Sequence, residues 1–274
     1  MISNSAPIGV FDSGLGGLSV LEALRRRLPD ESIIYLADSR YAPYGEKTNE
    51  FIRERSAALA KWLVEQGAKM LVVACNTATT HAIASLRDQL KVPIVGVEPG
   101  IKPSVLVSVT GIVGVLATAA TLRSEKLRDL LSYYSGHCSF ICQAGHGLVE
   151  LIEQGDINSP DISTLLQKYL VPMILAGADT VVLGSTHFAL LAPHIKHLFG
   201  DQLELIETGT AIARRAYDLL TKSGVKAEEG SNTFLRFCST TTDSQQIALM
   251  KLANRLLSIE CQVHAVRIGG DCER

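Results

Sequence analysis

The sequence predicts an α/β fold with parallel sheets, because short apolar runs alternate with helical segments and because part of this pattern occurs twice. The apolar runs are rich in Val and Ile and span residues 8–11, 33–36, 70–74, 94–97, 112–116, 180–183 and 203–206. Residues 49–66 and 163–176, which lie between them, have helical periodicity. Strands that are buried on both faces form continuous apolar runs, and their alternation with helices indicates parallel βαβ units.

Two pairs of segments resemble each other at nearly the same separation along the chain. Residues 67–75 (GAKMLVVAC) resemble residues 177–185 (GADTVVLGS), 110 positions later, and residues 8–13 (IGVFDS) resemble residues 113–118 (VGVLAT), 105 positions later. The repetition predicts two related, pseudo-symmetric α/β units of flavodoxin-like type. Chance similarity is the alternative, since Gly-Ala followed by Val-Val is common before parallel strands. We expect one unit to comprise residues 1–98 and 208–274, and the other residues 99–207.

The duplication also predicts where a ligand would bind. Open α/β sheets bind ligands at the carboxyl ends of their strands. Cys75 and Ser185 follow corresponding strands of the two predicted units. We therefore expect an active site between the units, with position 75 facing position 185 across the ligand.

The composition argues against nucleic acid, a membrane or a metal as a partner. The 274 residues are 47% hydrophobic, enough for one large domain or two modest ones, and their formal net charge is −2. Residues 1–7 have no signal-peptide pattern, and no apolar run reaches the roughly 18 residues of a membrane span. The cysteines, at positions 75, 138, 142, 238, 261 and 272, include no CxxC pair for zinc or redox chemistry. We expect a protein of the reducing cytoplasm.

A strand-to-helix turn carries the first candidate for chemistry, Cys75, followed by Asn76 and Thr77. The partial positive charge of a helix start stabilises a thiolate, and the free N–H groups of the turn can hold a carboxylate. A small buried cysteine beside a helix cap explains the same residues equally well.

The corresponding turn of the second unit carries Ser185, Thr186 and His187. A serine hydrolase is disfavoured, because serine and histidine are only two positions apart and no G-x-S-x-G motif surrounds the serine. A metal site is disfavoured as well, because His187 has no second ligand at a suitable spacing.

Two further loops are candidates for a ligand wall. Asp12 follows the first strand and precedes Gly14, Gly16 and Gly17, whose spacing does not match a dinucleotide fingerprint. Asp12 is either a helix N-cap or a positioned acid. The loop with Tyr44 and Gly45 is either part of a ligand site or an ordinary turn.

Together these motifs resemble glutamate racemase, a family of the aspartate/glutamate racemase superfamily. The resemblance extends from about residue 8 to residue 215 and rests on residues 9–17, 38–45, 73–78, 114–118 and 183–188, in that order. It implies an isomerase without a cofactor. One cysteine removes the α-proton of glutamate from one face, and a second cysteine donates a proton to the opposite face.

The resemblance assigns roles to single residues. Cys75 matches the first catalytic cysteine, Asp12 would assist Cys75, and His187 would assist position 185. The amino acid would be bound by Asp12, Ser13, Tyr44, Gly45, Asn76, Thr77, Thr118, Thr186 and His187. The family also implies a bacterial, cytoplasmic enzyme that supplies D-glutamate for peptidoglycan. A homodimer is the oligomer that we consider, although the sequence shows no interface.

The chain departs from the family at Ser185, where the pattern has the second cysteine. A serine hydroxyl has an acidity closer to that of bulk water than to that of a thiol, so it is a poor base. The serine is explained either by an altered chain that traps substrate or by a natural member with diverged chemistry. We therefore expect an impaired racemase. The alternatives are a one-thiol enzyme of the superfamily, such as a decarboxylase or isomerase, and a non-catalytic amino-acid-binding protein.

Overall fold

Strands and helices alternate through residues 3–269, which are the residues that the computed structural model describes. The strands are β1 (Ile8–Asp12), β2 (Ile33–Ala37), β3 (Met70–Val73), β4 (Ile94–Gly96), β5 (Ile112–Ala117), β6 (Ser139–Ala144), β7 (Thr180–Gly184), β8 (Glu204–Ile206), β9 (Leu235–Ser239) and β10 (Val263–Ala265). The helices are α1 (Leu18–Arg27), α2 (Asn49–Glu65), α3 (Asn76–Gln89), α4 (Ile101–Val107), α5 (Ala119–Arg123), α6 (Glu125–Tyr134), α7 (Leu148–Glu153), α8 (Pro160–Leu175), α9 (Thr186–Ala189), α10 (Ala192–Phe199), α11 (Gly209–Lys222) and α12 (Ser244–Leu257). Short 3₁₀ turns span Ser39–Tyr41, Tyr44–Glu46 and Gly200–Gln202.

The chain forms two compact units, one with the residues up to Val97 and from Gly209 onward, the other with Glu98–Thr208. The first unit contains a six-stranded sheet in the order β10-β9-β2-β1-β3-β4, and its neighbouring strands are parallel. Strands β1, β2 and β3 are buried along their whole length, because helices cover both faces of a parallel sheet.

The second unit contains a four-stranded parallel sheet in the order β6-β5-β7-β8. Its own apolar core is built around β5 and β7, with Val113, Val115 and Val182 fully buried. Both sheets confirm the predicted α/β class with parallel strands.

The strand order β2-β1-β3-β4 of the first unit recurs in the second unit as β6-β5-β7-β8. The register recurs as well, because Ile8 pairs with Met70 in the first sheet and Val113 pairs with Thr180 in the second. These are the positions that the two sequence similarities align. The repeated topology supports the interpretation of two related α/β units.

The apolar runs predicted seven of the strands and missed β6, β9 and β10. Strand β6 lies at a sheet edge and none of its residues is buried, so it lacks a continuous apolar run. Helix boundaries also differ: α8 begins at Pro160, three residues before the periodic segment, because the Ser159 side chain caps the N–H of Ile162. Within residues 3–269, no helix is long and apolar enough to cross a membrane. Cys272 lies outside the described residues.

Candidate active site

Asp12, the last residue of β1, is fully buried. Its Oδ2 accepts the backbone N–H of Gly17 at 2.7 Å, so the turn between β1 and α1 closes around the carboxylate. A β-carbon at position 17 would lie 2.7 Å from that of Asp12, which explains the glycine. The N-cap of α1 is Gly17 and not Asp12. Of the two interpretations left open by the sequence, the structure therefore favours the positioned acid.

Cys75 caps α3 and is 4% exposed. Its Sγ accepts the N–H of Ala78 at 3.4 Å and donates to the Ser13 hydroxyl oxygen at 3.6 Å. Asp12, Ser13 and Cys75 are thus brought together from two neighbouring strands. With Tyr44, Gly45, Asn76 and Thr77 they form what we call the Cys75 site.

The Cys75 thiol is neutral at rest, contrary to what the helix start alone predicted. Burial and, second, the negative charge of Asp12 raise the pKa of Cys75 to about 12, while the contacts with Ala78 and Ser13 act in the opposite direction. The cost of burying a thiolate outweighs the stabilising helix start.

Asn76 and Thr77 are the first residues of α3, and both are more than nine-tenths buried. The side-chain oxygen of Asn76 accepts no hydrogen bond from any described residue. A buried amide oxygen without a partner costs free energy, and a donor on a bound ligand, such as an ammonium group, would satisfy it.

The Tyr44 hydroxyl belongs to a buried network around Asp38. It donates to Asp38 Oδ2 at 2.5 Å, and the same carboxylate accepts Arg55 Nε at 2.9 Å, Arg55 Nη2 at 2.8 Å and the Thr240 hydroxyl at 2.9 Å. Burial raises the pKa of Tyr44 well above its usual value, with further contributions from Asp38 and Cys75. The phenol is therefore a neutral, fixed wall residue, and half-buried Gly45 follows it in the same 3₁₀ turn.

In the second unit, Ser185 follows β7 and precedes α9, as Cys75 follows β3 and precedes α3. Ser185 is 5% exposed, and its hydroxyl does not cap the helix. Thr186 and His187 are equally buried. Thr118 likewise stands between a strand and a helix, because it follows β5 and precedes α5. Its hydroxyl caps α5 by accepting the Thr121 N–H at 3.2 Å. Thr118, Ser185, Thr186 and His187 form what we call the Ser185 site.

A carboxylate that the sequence analysis did not single out holds His187. His187 Nε2 lies 2.5 Å from Oε1 of Glu153, the last residue of α7, and both side chains are buried. The contact fixes the imidazole ring. Glu153 lies 34 positions before His187 in the sequence, and no local motif marks it. No cluster of three or more His, Cys, Asp or Glu that could hold a metal ion exists among residues 3–269.

Comparison with known proteins decides the family. The family model for Asp/Glu/Hydantoin racemase matches residues 8–216. Glutamate racemase of Cupriavidus pinatubonensis is 52% identical over 265 residues, which cover 97% of this chain and 96% of that protein. The chain belongs to the glutamate racemase family. A second family member, from Ralstonia nicotianae, is 56% identical over 86% of this chain and 84% of its own length.

Solved glutamate racemase structures have the same fold. The Escherichia coli glutamate racemase, determined in complex with L-glutamate and the activator UDP-MurNAc-Ala, aligns with a TM-score of 0.84 and 33% identity over 97% of this chain and all of its own. The fold and the family that the sequence of this chain predicts are therefore confirmed.

Proposed function

We propose that this chain acts on glutamate without a cofactor, moving the α-proton with the Cys75 thiol, and that Ser185 impairs the second proton transfer. The observation that carries the proposal is the surrounding of Cys75. It is a buried thiol at the start of α3, bonded to Ser13 and close to the carboxylate of Asp12. A structural cysteine needs none of these polar neighbours.

Because the Cys75 thiol is neutral before substrate binds, substrate binding itself would have to produce the thiolate. A thiol at rest can protonate a carbanion but must lose its proton before it acts as a base. A bound amino acid carries an α-ammonium group, and its positive charge beside Asp12 would lower the pKa of the thiol. Substrate would thereby create its own base, so the thiolate forms only when a proton is there to be abstracted.

The substrate carboxylates would be held mainly by uncharged donors. The Cys75 site offers the Ser13 and Thr77 hydroxyls, the Asn76 amide and N–H groups at the start of α3, and the Ser185 site offers Thr118 and Thr186. The guanidinium of Arg55 does not serve as a charged donor to the substrate, because it is paired with Asp38. Hydrogen bonds to charged groups contribute about 1.5–3 kcal/mol each, enough to bind a dicarboxylate without a free cation.

At the Ser185 site the base is missing. In the full reaction, Cys75 would remove the α-proton of D-glutamate, and the group at position 185 would protonate the opposite face to give L-glutamate. Here a hydroxyl or a water must donate that proton, and in the reverse direction no thiolate exists to abstract one. A positioned acid–base group contributes about 10²- to 10⁴-fold in rate, so we expect turnover to be lower by at least that factor.

His187 would act on position 185 through the orientation that Glu153 gives its ring. The His187–Glu153 pair places an imidazole ring two positions after Ser185 in the chain. It is the feature of the second unit that most resembles catalytic machinery. We also propose, on the family resemblance, that the enzyme works in the bacterial cytoplasm, supplies D-glutamate for peptidoglycan and forms a homodimer.

Circular dichroism of glutamate over time tests the proposal. We expect slow or undetectable racemisation by the protein with Ser185 and an increase of about 10²- to 10⁴-fold in the Ser185→Cys variant. Ser223→Cys, which places a thiol at an exposed position, is the matched control and should change nothing. Equal rates for the unaltered chain and the Ser185→Cys variant would contradict the two-thiol argument.

Ser185 itself favours one second candidate, a diverged superfamily enzyme that works with a single thiol. Such an enzyme would not gain glutamate racemisation from Ser185→Cys, although Cys75 would remain essential for its own reaction. A non-catalytic amino-acid-binding protein would bind glutamate and respond to neither substitution.

A further inference from the structure

A cavity of about 540 Å³ lies in the first unit beside the carboxyl ends of the neighbouring parallel strands β9 and β10. Its wall contains Arg40, Arg267 and the run Thr240–Asp243. None of these residues belongs to the Cys75 site. Ligands bind at the carboxyl ends of strands in open α/β sheets, so the position suits a small molecule.

The two guanidinium groups in the wall are available to a ligand. Neither Arg40 nor Arg267 forms an ion pair with any residue from 3 to 269, and Arg40 only lies over the ring of Tyr41, 6.0 Å from its centroid. Asp243 supplies a carboxylate to the same wall, but its Oδ1 accepts the N–H of Gln245 at 2.8 Å and caps α12. The cavity therefore has a net positive lining.

Hydroxyl groups complete the wall, and one of them fixes its shape. Thr240 is buried, donates its hydroxyl to Asp38 Oδ1 at 2.9 Å and accepts the backbone N–H of Arg40 at 3.3 Å. The backbone that carries Arg40 is thus held in place before any ligand arrives. The Thr242 hydroxyl makes no hydrogen bond with a described residue and is free to donate.

We propose that this cavity binds a phosphate group, either as inorganic phosphate or on a phosphorylated small molecule. Guanidinium groups bind phosphate and carboxylate through pairs of parallel hydrogen bonds. Two guanidiniums and a free hydroxyl offer more donors than one carboxylate can accept, whereas a phosphate presents at least three acceptor oxygens. The surplus of donors selects phosphate.

Equilibrium dialysis with radiolabelled inorganic phosphate at constant ionic strength tests the proposal. We expect saturable binding that the Arg40→Gln/Arg267→Gln double variant weakens by about tenfold or more. Both side chains are exposed, so the double variant should fold normally, as its thermal unfolding will show. Arg236→Gln is the matched control, because this exposed arginine lies on β9 but lines no part of the cavity.

Competitors separate the possible ligands. Glycerol 3-phosphate that displaces the label more strongly than unlabelled phosphate indicates a phosphorylated molecule, and weaker displacement indicates free phosphate. Malonate that competes as well as phosphate would overturn the choice of phosphate over carboxylate. Absent binding, or binding that the double variant retains, would overturn the site. None of these outcomes depends on glutamate turnover.

Discussion

We predict that Cys75 of the substrate-free protein ionises far above the ordinary range of a thiol, and that Asp12→Asn lowers this pKa without restoring the ordinary value. The pKa is raised from 9.0 to about 12, first by burial and second by the charge of Asp12. The shift corresponds to about 4 kcal/mol, so that at pH 8 about one molecule in 10⁴ carries the thiolate. Asn retains an oxygen that can accept the Gly17 N–H, so the substitution removes the charge and keeps the turn.

The ultraviolet absorbance of the thiolate, followed against pH, measures this ionisation. Subtracting the titration of Cys75→Ser removes the signals of the other cysteines, among them Cys238, whose own pKa is raised to about 11 by burial. For Asp12→Asn we expect a value between 9 and 12, because burial, the larger cause, remains. A pKa of 9 or below in the unaltered chain, or no change on Asp12→Asn, would refute the account of a buried, neutral thiol.

Two further predictions concern the second unit. Glu153→Gln should slow racemisation about 10- to 100-fold in the Ser185→Cys background, because the carboxylate that orients the His187 ring is replaced by an amide. The α-proton exchange of D-glutamate, which depends on Cys75, should not change, and NMR of the α-proton in deuterated water checks both. Asp179→Asn should lower the free energy of unfolding by about 1–2 kcal/mol at pH 7, after allowance for solvent screening. Partial burial raises the pKa of Asp179, but hydrogen bonds from Ser108, Thr110 and other groups outweigh it and hold the pKa at about 2. This stabilisation is present above about pH 4 and is lost as pH falls toward 2, so urea unfolding that shows a pH-independent difference would contradict it.

The fold class was predictable because burial of a parallel sheet on both faces requires continuous apolar runs in the sequence. The repeat was visible for the same reason, since β1 and β5, and likewise β3 and β7, occupy equivalent central places in their sheets. Of the edge strands, β6 and β10 face water in part and carry no such run, whereas β4 and β8 do carry one.

The candidate site was predictable only where its residues follow strands in local motifs. Asp12, Cys75 and Ser185 stand at strand ends, where side chains meet ligands. Glu153 and Arg55 were missed because their partners, His187 and Asp38, lie 34 and 17 positions away, and only the folded chain brings them together. The neutral state of Cys75 was missed for a different reason. The motif and the helix start indicate a lowered pKa and a stabilised thiolate. The degree of burial, which raises the pKa instead, is a property of the packed structure.

The measurement that tests the central claim most directly is the exchange of the α-proton in deuterated water, recorded separately for D- and L-glutamate. One thiol at Cys75 and a hydroxyl at Ser185 predict that D-glutamate exchanges slowly while L-glutamate does not, and that Cys75→Ser abolishes the remaining exchange. Ser185→Cys should then allow both enantiomers to exchange. Equal exchange of D- and L-glutamate by the unaltered chain, or exchange that survives Cys75→Ser, would contradict the assignment of Cys75 as the single remaining base.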